Sequence, residues 1–306
     1  MGRYLAARTA AILGTLLIIS LFVFVVMHAI PGGPFDEDKM PLPPASKANI
    51  LRSYGLDRPL SEQYVLFVWN VAHLNFGVSY QSPGESVVHV LGRVWPVTMH
   101  LGGMALAIAL AGGLWLGVTA ALRQNTAVDY LTSGVAVFGL VVPHFVLGSL
   151  LILLFSTMLG WLPAGGWDAP RQWILPTLTY CLAPLGLVAR YTRVSVLEVL
   201  GADHVRTARA KGLATRRVVL RHVLRNALVP LLTVIGPLFP DLLTGSIFVE
   251  GIFRVPGLGR YFVTSVYDRD YPMIMGLALL AALLVSVMYL VSDLLYLLAD
   301  PRIRYT

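Results

Sequence analysis

The sequence predicts an all-α membrane protein with six spanning helices and both termini in the cytoplasm. Three observations carry this. Of 306 residues, 57% are apolar and only 13% are charged, whereas a soluble domain carries about 25% charged residues. Mean hydropathy is +0.72, so there is too little polar surface to cover a globule in water, and lipid must solvate much of the chain. The apolar residues are gathered into six runs of the roughly 20 residues that a helix needs to cross a hydrocarbon core about 30 Å thick.

The first run, at about residues 10–30 (LGTLLIISLFVFVVMHAI), is too long for a signal-peptide core. It is followed by Pro31-Gly32-Gly33-Pro34 rather than by a small-residue cleavage site, so it reads as a retained span. The remaining runs lie at about 97–122, 130–159, 174–194, 228–249 and 273–298. Between the first two, the loop 31–96 is too long for a turn. It opens with PGGPFDEDKMPLPP and shows helical periodicity at 50–54 and 60–74. Two readings are open for it: an amphipathic cap on the outer membrane surface, or a docking surface for a soluble external partner. The chain thus divides into an N-terminal spanning helix (1–30), an extracytoplasmic loop or cap (31–94), a membrane domain (95–299) with a cytoplasmic loop at 201–226, and a cytoplasmic tail (300–306).

Orientation follows from Lys and Arg in the short connections. One side collects Arg3, Arg8, Arg123, Arg302, Arg304 and a dense set running from Arg190 and Arg193 through Arg206, Arg209, Lys211, Arg216, Arg217, Arg221 and Arg225. The other holds Lys39, Lys47, Arg52, Arg58, Arg93, Arg171, Arg254, Arg260 and Arg269, spread over longer loops that also carry most of the acids. The first side is the cytoplasmic one. The net charge of +7 is therefore a topology signal, and no stretch joins basic residues to the aromatic platforms of a nucleic-acid site.

Catalytic chemistry finds no foothold. The single cysteine, Cys181, excludes an intrachain disulfide and a thiolate metal cluster. No GxxxxGK[ST] phosphate loop, no HEXXH zinc motif and no G-x-S-x-G elbow occurs. The scattered His28, His73, His89 and His100 read as interfacial or loop residues. The small-residue positions Gly102, Gly103, Gly112, Gly113 and Gly117 read as helix-packing sites.

The loop ADHVRTARAKGLATRRVVLRHVLRNALVP is the informative one. Asp203 is placed to cap a helix and Gly212 to end it in the left-handed conformation, leaving about nine residues or roughly 13 Å of helix. Arg206 and Arg209 share one edge, while Val205 and Ala208 offer a small apolar one. Thr215 is placed to cap a second helix, with Arg217, Arg221 and Arg225 opposite Leu220, Val223, Leu224 and Ala227. Anchoring to anionic lipid accounts for the charge. A short, Gly-punctuated helix with a small edge also suits insertion into a groove on a cytoplasmic partner, and both readings are open.

Two polar groups lie inside spans. Asp241 follows two prolines in LFPDLLTGSIF, with Thr244 three residues on. An ionised acid at a helix centre costs about 2.5–3.5 kcal/mol on insertion scales, so it must face protein or a water-filled cavity. An interhelical hydrogen bond and a pathway wall near a peptide amino group are the alternatives. His144 follows Pro143, where a kink with a buried hydrogen bond competes with a ligand role.

The loop resembles the EAA loop of ABC importer permeases, whose pattern is Glu-Ala-Ala, three residues, Gly, nine residues, then Ile-x-Leu-Pro. With Gly212 on the motif Gly, Arg206-Thr207-Ala208 fall on Glu-Ala-Ala, and His222, Leu224 and Arg225 on Ile, Leu and Pro. Only Ala208, Gly212 and Leu224 keep the generic residues. The peptide-importer branch is a closer match. DHVRTARAKGL, LRHVLRNALVP, ARYTRVSVLEVL, VEGIFRVPGLGRYFVTSVYDRDYPMIMG, YGLDRPLSEQY, NFGVSY and the terminal DPRIRY all look like segments of dipeptide and oligopeptide permeases, in the family's order and over essentially the whole chain. The subunit type with the larger external loop is the most similar.

The resemblance implies a type I ABC importer transmembrane fold in a bacterial inner membrane. It also implies a heterodimer with a second, related permease, two cytoplasmic ATPases that hold ATP and Mg²⁺, and an external substrate-binding protein. On it, Asp203, Val205, Arg206, Thr207, Ala208, Arg209, Lys211, Gly212 and Leu213 form the ATPase-coupling loop. Ala208 and Gly212 would then allow close approach to the partner, and Arg206, Arg209 and Lys211 would pair at its groove rim. Asp241, Thr244 and His144 become candidate pathway-lining residues. Glu250 and Arg254, beside the PGLG turn, resemble a structural motif of the family. This chain itself would be no enzyme, and would bind no metal or cofactor. Relatives of this kind carry peptides, nickel complexes or haem. A proton-coupled secondary transporter would use Asp241 and His144 as a relay, but would explain neither the capped loop helix nor the lack of an inverted repeat.

Overall fold

The computed structural model describes residues 2–29, 44–81 and 84–299. The acidic turn-rich stretch 31–43 and the tail 300–306, with Arg302 and Arg304, lie outside the described residues. In chain order the helices are α1 (Gly2–Ala29), α2 (Pro44–Ser53), α3 (Leu60–Ala72), α4 (Val87–Leu122), α5 (Ala127–Val141) and α6 (His144–Leu151). They continue with α7 (Pro170–Leu200), α8 (Asp203–Ala210), α9 (Thr215–Val218), α10 (Leu224–Leu243), α11 (Ile247–Ile252), α12 (Leu258–Asp268) and α13 (Tyr271–Ala299). α6 runs into a π-helical turn at Ile152–Met158, and α9 into one at Val219–Val223. Among the described residues the sole β feature is a bridge between Val78 and Ser86. Among the described residues five helices are long and apolar enough to cross a membrane, and a sixth crossing exists if the bent pair Ala127–Val141 and His144–Met158 is one span. The chain is a multi-pass membrane protein.

It divides into two compact units, Met1–Pro96 with Gly257–Leu284, and Val97–Pro256 with Val285–Thr306. In the first, α1 keeps Leu17, Ile18, Phe22 and Val25 more than half exposed, an apolar face that suits lipid or a neighbouring helix rather than water. Its Phe24 and Met27 are buried with Ile274 and Met275 of α13, beside Tyr64 and Phe67 of α3. Val87, Val90, Leu91 and Val94 make a helical stripe against Leu258, Met273 and Leu277. This stripe explains why α4 begins at Val87 rather than near residue 97. Pro96 removes only its own N–H, leaving the Gly92 carbonyl without a helical donor, and the buried stripe that precedes it outweighs that loss.

In the second unit α7 is the central element, with α5, α6, α10 and α11 packed on it. Small residues set the approach. A Cβ at Gly117 of α4 would lie 2.5 Å from the Ala189 carbonyl oxygen, and one at Gly186 of α7 would lie 2.5 Å from the Ala136 oxygen. Gly102, Gly112 and Gly113 also pack against neighbouring atoms, but a Cβ at Gly103 meets nothing. Consecutive helical residues point in different directions, so Gly103 is not a packing position.

Two expected spans are interrupted. Residues 130–159 do not form one straight helix: α5 and α6 are bent by 109°. Pro143 disfavours the helical region for the residue before it, and Val142 is extended at φ −78°, ψ 120°. Residues 228–249 are also broken, between α10 and α11. Gly245 sits at φ +94°, and Ser246 opens α11 by accepting a hydrogen bond from the Val249 N–H at 3.3 Å.

Candidate functional site

α8 is held by its apolar edge. Val205 and Ala208 are 0% and 4% exposed and pack with Ala121, Val196, Val218, Val223 and Ala227. The small edge therefore faces the chain's own bundle, which corrects the expectation that Ala208 lies against a partner. Asp203, Arg206, Thr207, Arg209, Lys211 and Gly212 are exposed. The exposed face is thus strongly basic, with Arg206 and Asp203 only loosely paired at 3.6 Å. Asn226 Nδ2 lies 3.3 Å from His204 Nε2, a second tie between α8 and the rest of the loop.

Both ends of α8 differ in detail from expectation. Ala202 occupies the N-cap without a side-chain hydrogen bond, and Asp203 is the first helical residue. Its carboxylate still lies at the positive end of the helix dipole. Ala214 likewise precedes Thr215 at the start of α9. The C-terminus is a Schellman motif: Leu213 N–H donates to Ala208 O at 3.4 Å, and Gly212 N–H to Arg209 O at 2.9 Å. Gly212 adopts φ +74°, and half-buried Leu213 supplies the apolar contact that completes the motif. The π turn at Val219–Val223 inserts a residue into the apolar register, so Val218, Val219 and Val223 are buried while Leu220 is 57% exposed. Leu220 does not face inward as the periodicity predicts.

Asp241 is exposed and lines a cavity of about 330 Å³ with Leu140, His144, Tyr180, Leu238 and Ser246 among its walls. The Tyr180 hydroxyl donates to the Asp241 backbone carbonyl at 2.8 Å, not to the carboxylate. His144 makes an edge contact with Tyr180 at 5.9 Å between ring centroids, and its Nε2 is buried without a hydrogen-bond partner. The bend at Pro143 brings His144 to this wall. Thr244 does not join Asp241 and His144 there: it caps α10, and its hydroxyl donates to Pro240 O at 2.8 Å.

Sequence reasoning missed two buried polar clusters, those of Asp129 and Asp270, and gave no partner for a third, that of Glu250. Asp129, 3% exposed, accepts from Arg193 Nη2 at 2.7 Å and Nε at 2.5 Å, and from the Asn125 N–H at 3.0 Å, tying the first turn of α5 to α7. Glu250 is fully buried and accepts from Thr98 Oγ1 at 2.9 Å. Asp270, in the first unit, accepts from the Ser79 hydroxyl, from Tyr80 N–H at 3.2 Å and from Met273 N–H at 3.3 Å. Burial, with Asp270 beside it, pushes the Tyr80 phenol well above its ordinary range. Asp129 and Arg193 are 64 residues apart, and no local pattern in the sequence announces such a pair.

Two family models match the chain: binding-protein-dependent transport system inner membrane component over residues 113–305, and the N-terminal part of the binding-protein-dependent transport system membrane component over residues 1–102. The dipeptide transport system permease protein DppB of Bacillus subtilis (strain 168) is 42% identical over 304 residues, covering 99% of this chain and 98% of that protein. The oligopeptide transport system permease protein OppB of Escherichia coli (strain K12) is 40% identical over 307 residues, covering the whole of both. Among solved structures, the MetNI methionine ABC transporter in an inward-facing conformation aligns with a TM-score of 0.57 at 21% identity, over 69% of this chain and 96% of that one. An amino acid ABC transporter solved with histidines aligns at 0.51 and 19% identity, over 70% and 94%. At these identities the structural matches speak for a shared fold.

Proposed function

The chain belongs to the family of binding-protein-dependent transport system inner membrane components, and on that premise we propose that it is a permease subunit of an ABC importer for dipeptides or oligopeptides. The full-length identity of 38–42% to permeases named for those substrates carries the reading, and favours peptides over nickel complexes or haem. It also favours ATP-driven import over proton-coupled transport.

In this reading the chain crosses a bacterial inner membrane six times, with both termini in the cytoplasm, and forms half of the translocation pathway beside a second, homologous permease. An external binding protein delivers the peptide. Two cytoplasmic ATPases hold ATP and Mg²⁺ and do the hydrolysis, and this chain is not an enzyme. The coupling loop is 203–213. Arg206, Arg209 and Lys211 meet acidic groups or carbonyls of an ATPase, while Val205, Ala208 and Leu213 fix α8 to the bundle so that movement of one moves the other. A rigid-body shift delivered there exchanges inward-facing for outward-facing access. Asp241 and His144 line the pathway; Thr244 holds the helix end that presents Asp241.

The test is purification from native membranes in mild detergent, with mass spectrometry of what remains bound. Two phosphate-loop ATPases, a second permease and an external binding protein carrying peptide are the expected companions. A chain that came away alone and moved solute under a proton gradient without ATP would overturn the reading.

A further inference from the structure

We infer that the cavity between Asp241, Tyr180 and His144 is a binding site in the permease itself for the free α-ammonium group of a peptide. The inference rests on the importer reading above and adds a recognition step within the membrane. Four observations converge. Asp241 lies inside the candidate span Ile235–Ile252 yet is exposed, and a carboxylate at that depth requires water or a cationic ligand rather than lipid. Among the described residues the walls hold no Lys or Arg to neutralise it. α10 ends at Leu243, and the negative end of a helix dipole favours a cation. Finally, the Tyr180 oxygen, whose proton goes to the Asp241 carbonyl, keeps its acceptor lone pairs, and the buried His144 Nε2 is unpartnered.

The site therefore sets one carboxylate beside the phenolic acceptor oxygen of Tyr180. Apart from Ser246, whose hydroxyl accepts from the Val249 N–H, its remaining side-chain walls, Leu140, Leu187 and Leu238 among them, are apolar and without directional demands. At about 330 Å³ the cavity sits at the lower end of the roughly 300–1,000 Å³ of small-molecule pockets, enough for a terminal residue rather than a whole peptide. Peptides of different sequence share only their backbone and termini. A charged acceptor in an apolar shell reads the amino terminus and tolerates any side chain.

The experiment uses the assembled complex in nanodiscs without its external binding protein, with trialanine and N-acetyl-trialanine as probes. Saturable trialanine binding is expected, weakened at least tenfold by Asp241→Asn and less by Asp241→Glu. N-acetyl-trialanine should bind the unaltered complex at least tenfold more weakly than trialanine, and Asp241→Asn should not weaken it further. Absence of saturable trialanine binding, equal binding of the acetylated peptide, or an Asp241→Asn complex that binds like the unaltered one would each overturn the inference. Loss of assembly in both variants would assign Asp241 to the fold and overturn it as well. Failure of the importer reading appears separately, as absence of ATPases from the complex.

Discussion

At the scale of single residues, backbone conformation and buried charge make the sharpest demands. Gly212 holds φ +74°, and a Cβ there would meet no atom within 4 Å. Any cost of substitution is therefore backbone strain, about 1–2 kcal/mol for an ordinary residue, and not a clash. Gly212→Val should open the Schellman turn and uncouple transport while the chain still inserts. Gly212→Asn, a residue that tolerates the left-handed region, should retain most of it. Peptide uptake normalised to the amount of chain in the membrane separates the two, and Val transporting at the unaltered rate would remove Gly212 from the coupling loop. Asp129 makes a different demand. Removing one partner of a buried, bidentate pair leaves the other charge stranded, at about 3–5 kcal/mol when both are enclosed. The Arg193 side chain is 26% exposed, so Asp129→Asn should cost nearer the lower figure. Arg193→Lys, beside an intact Asp129, should also destabilise, because an ammonium lacks the planar fork that makes the two bonds. Thermal unfolding in detergent would read both, and an unshifted midpoint for Asp129→Asn would mean the pair contributes nothing.

At the scale of elements, hydropathy located the helices well because lipid leaves the backbone few alternatives to forming them. It did not locate their breaks. Pro143 and Gly245 act through one or two dihedrals each, and the apolar pattern runs on unchanged across both. α4 was misjudged at its start for the converse reason: Pro96 looks like a boundary, while the buried stripe of Val87, Val90, Leu91 and Val94 that overrides it exists only in the folded chain. The capped helix of the 203–213 loop was legible from Gly212 and the alternation of basic and small residues. Which way its small edge faces was not, since Val205 and Ala208 present the same pattern to a partner or to their own bundle. Close packing gives the prediction at this scale. Gly117 and Gly186 place α4 and α5 against α7 with no room for a Cβ beyond 2.5 Å of a carbonyl oxygen. Such contacts have a rigid backbone on the far side, so Gly117→Val and Gly186→Val must each separate two helices. Gly103→Ala, on an open face of α4, is the control. Size-exclusion of detergent extracts should show the first two variants largely aggregated and the third monodisperse. A monodisperse Gly117→Val would mean that the helices part without loss of fold.

At the scale of the whole molecule, the decisive quantity is the parity of the crossings. The loop 201–226 carries seven basic residues against Asp203 as its single acid, so the positive-inside tendency predicts that it lies in the cytoplasm. Arg123 predicts the same side for the turn after α4. The two can share a side only if the chain crosses the membrane an even number of times between them. α7 supplies one crossing, so the pair α5 and α6, bent by 109°, must supply the other despite its bend. Were the pair to turn back on itself, the most basic loop of the protein would lie outside. Single cysteines decide between these, and the native Cys181, 2% exposed, gives a quiet background. Glu62→Cys, Gln124→Cys and Ala214→Cys all sit at exposed positions. A membrane-impermeant maleimide applied to intact cells with a permeable outer wall should label Glu62→Cys alone. Gln124→Cys and Ala214→Cys should react only after detergent opens the membrane. Labelling of Ala214→Cys together with Glu62→Cys in intact cells would make the bent pair a re-entrant hairpin. It would also put the 203–213 loop beyond the reach of any cytoplasmic ATPase.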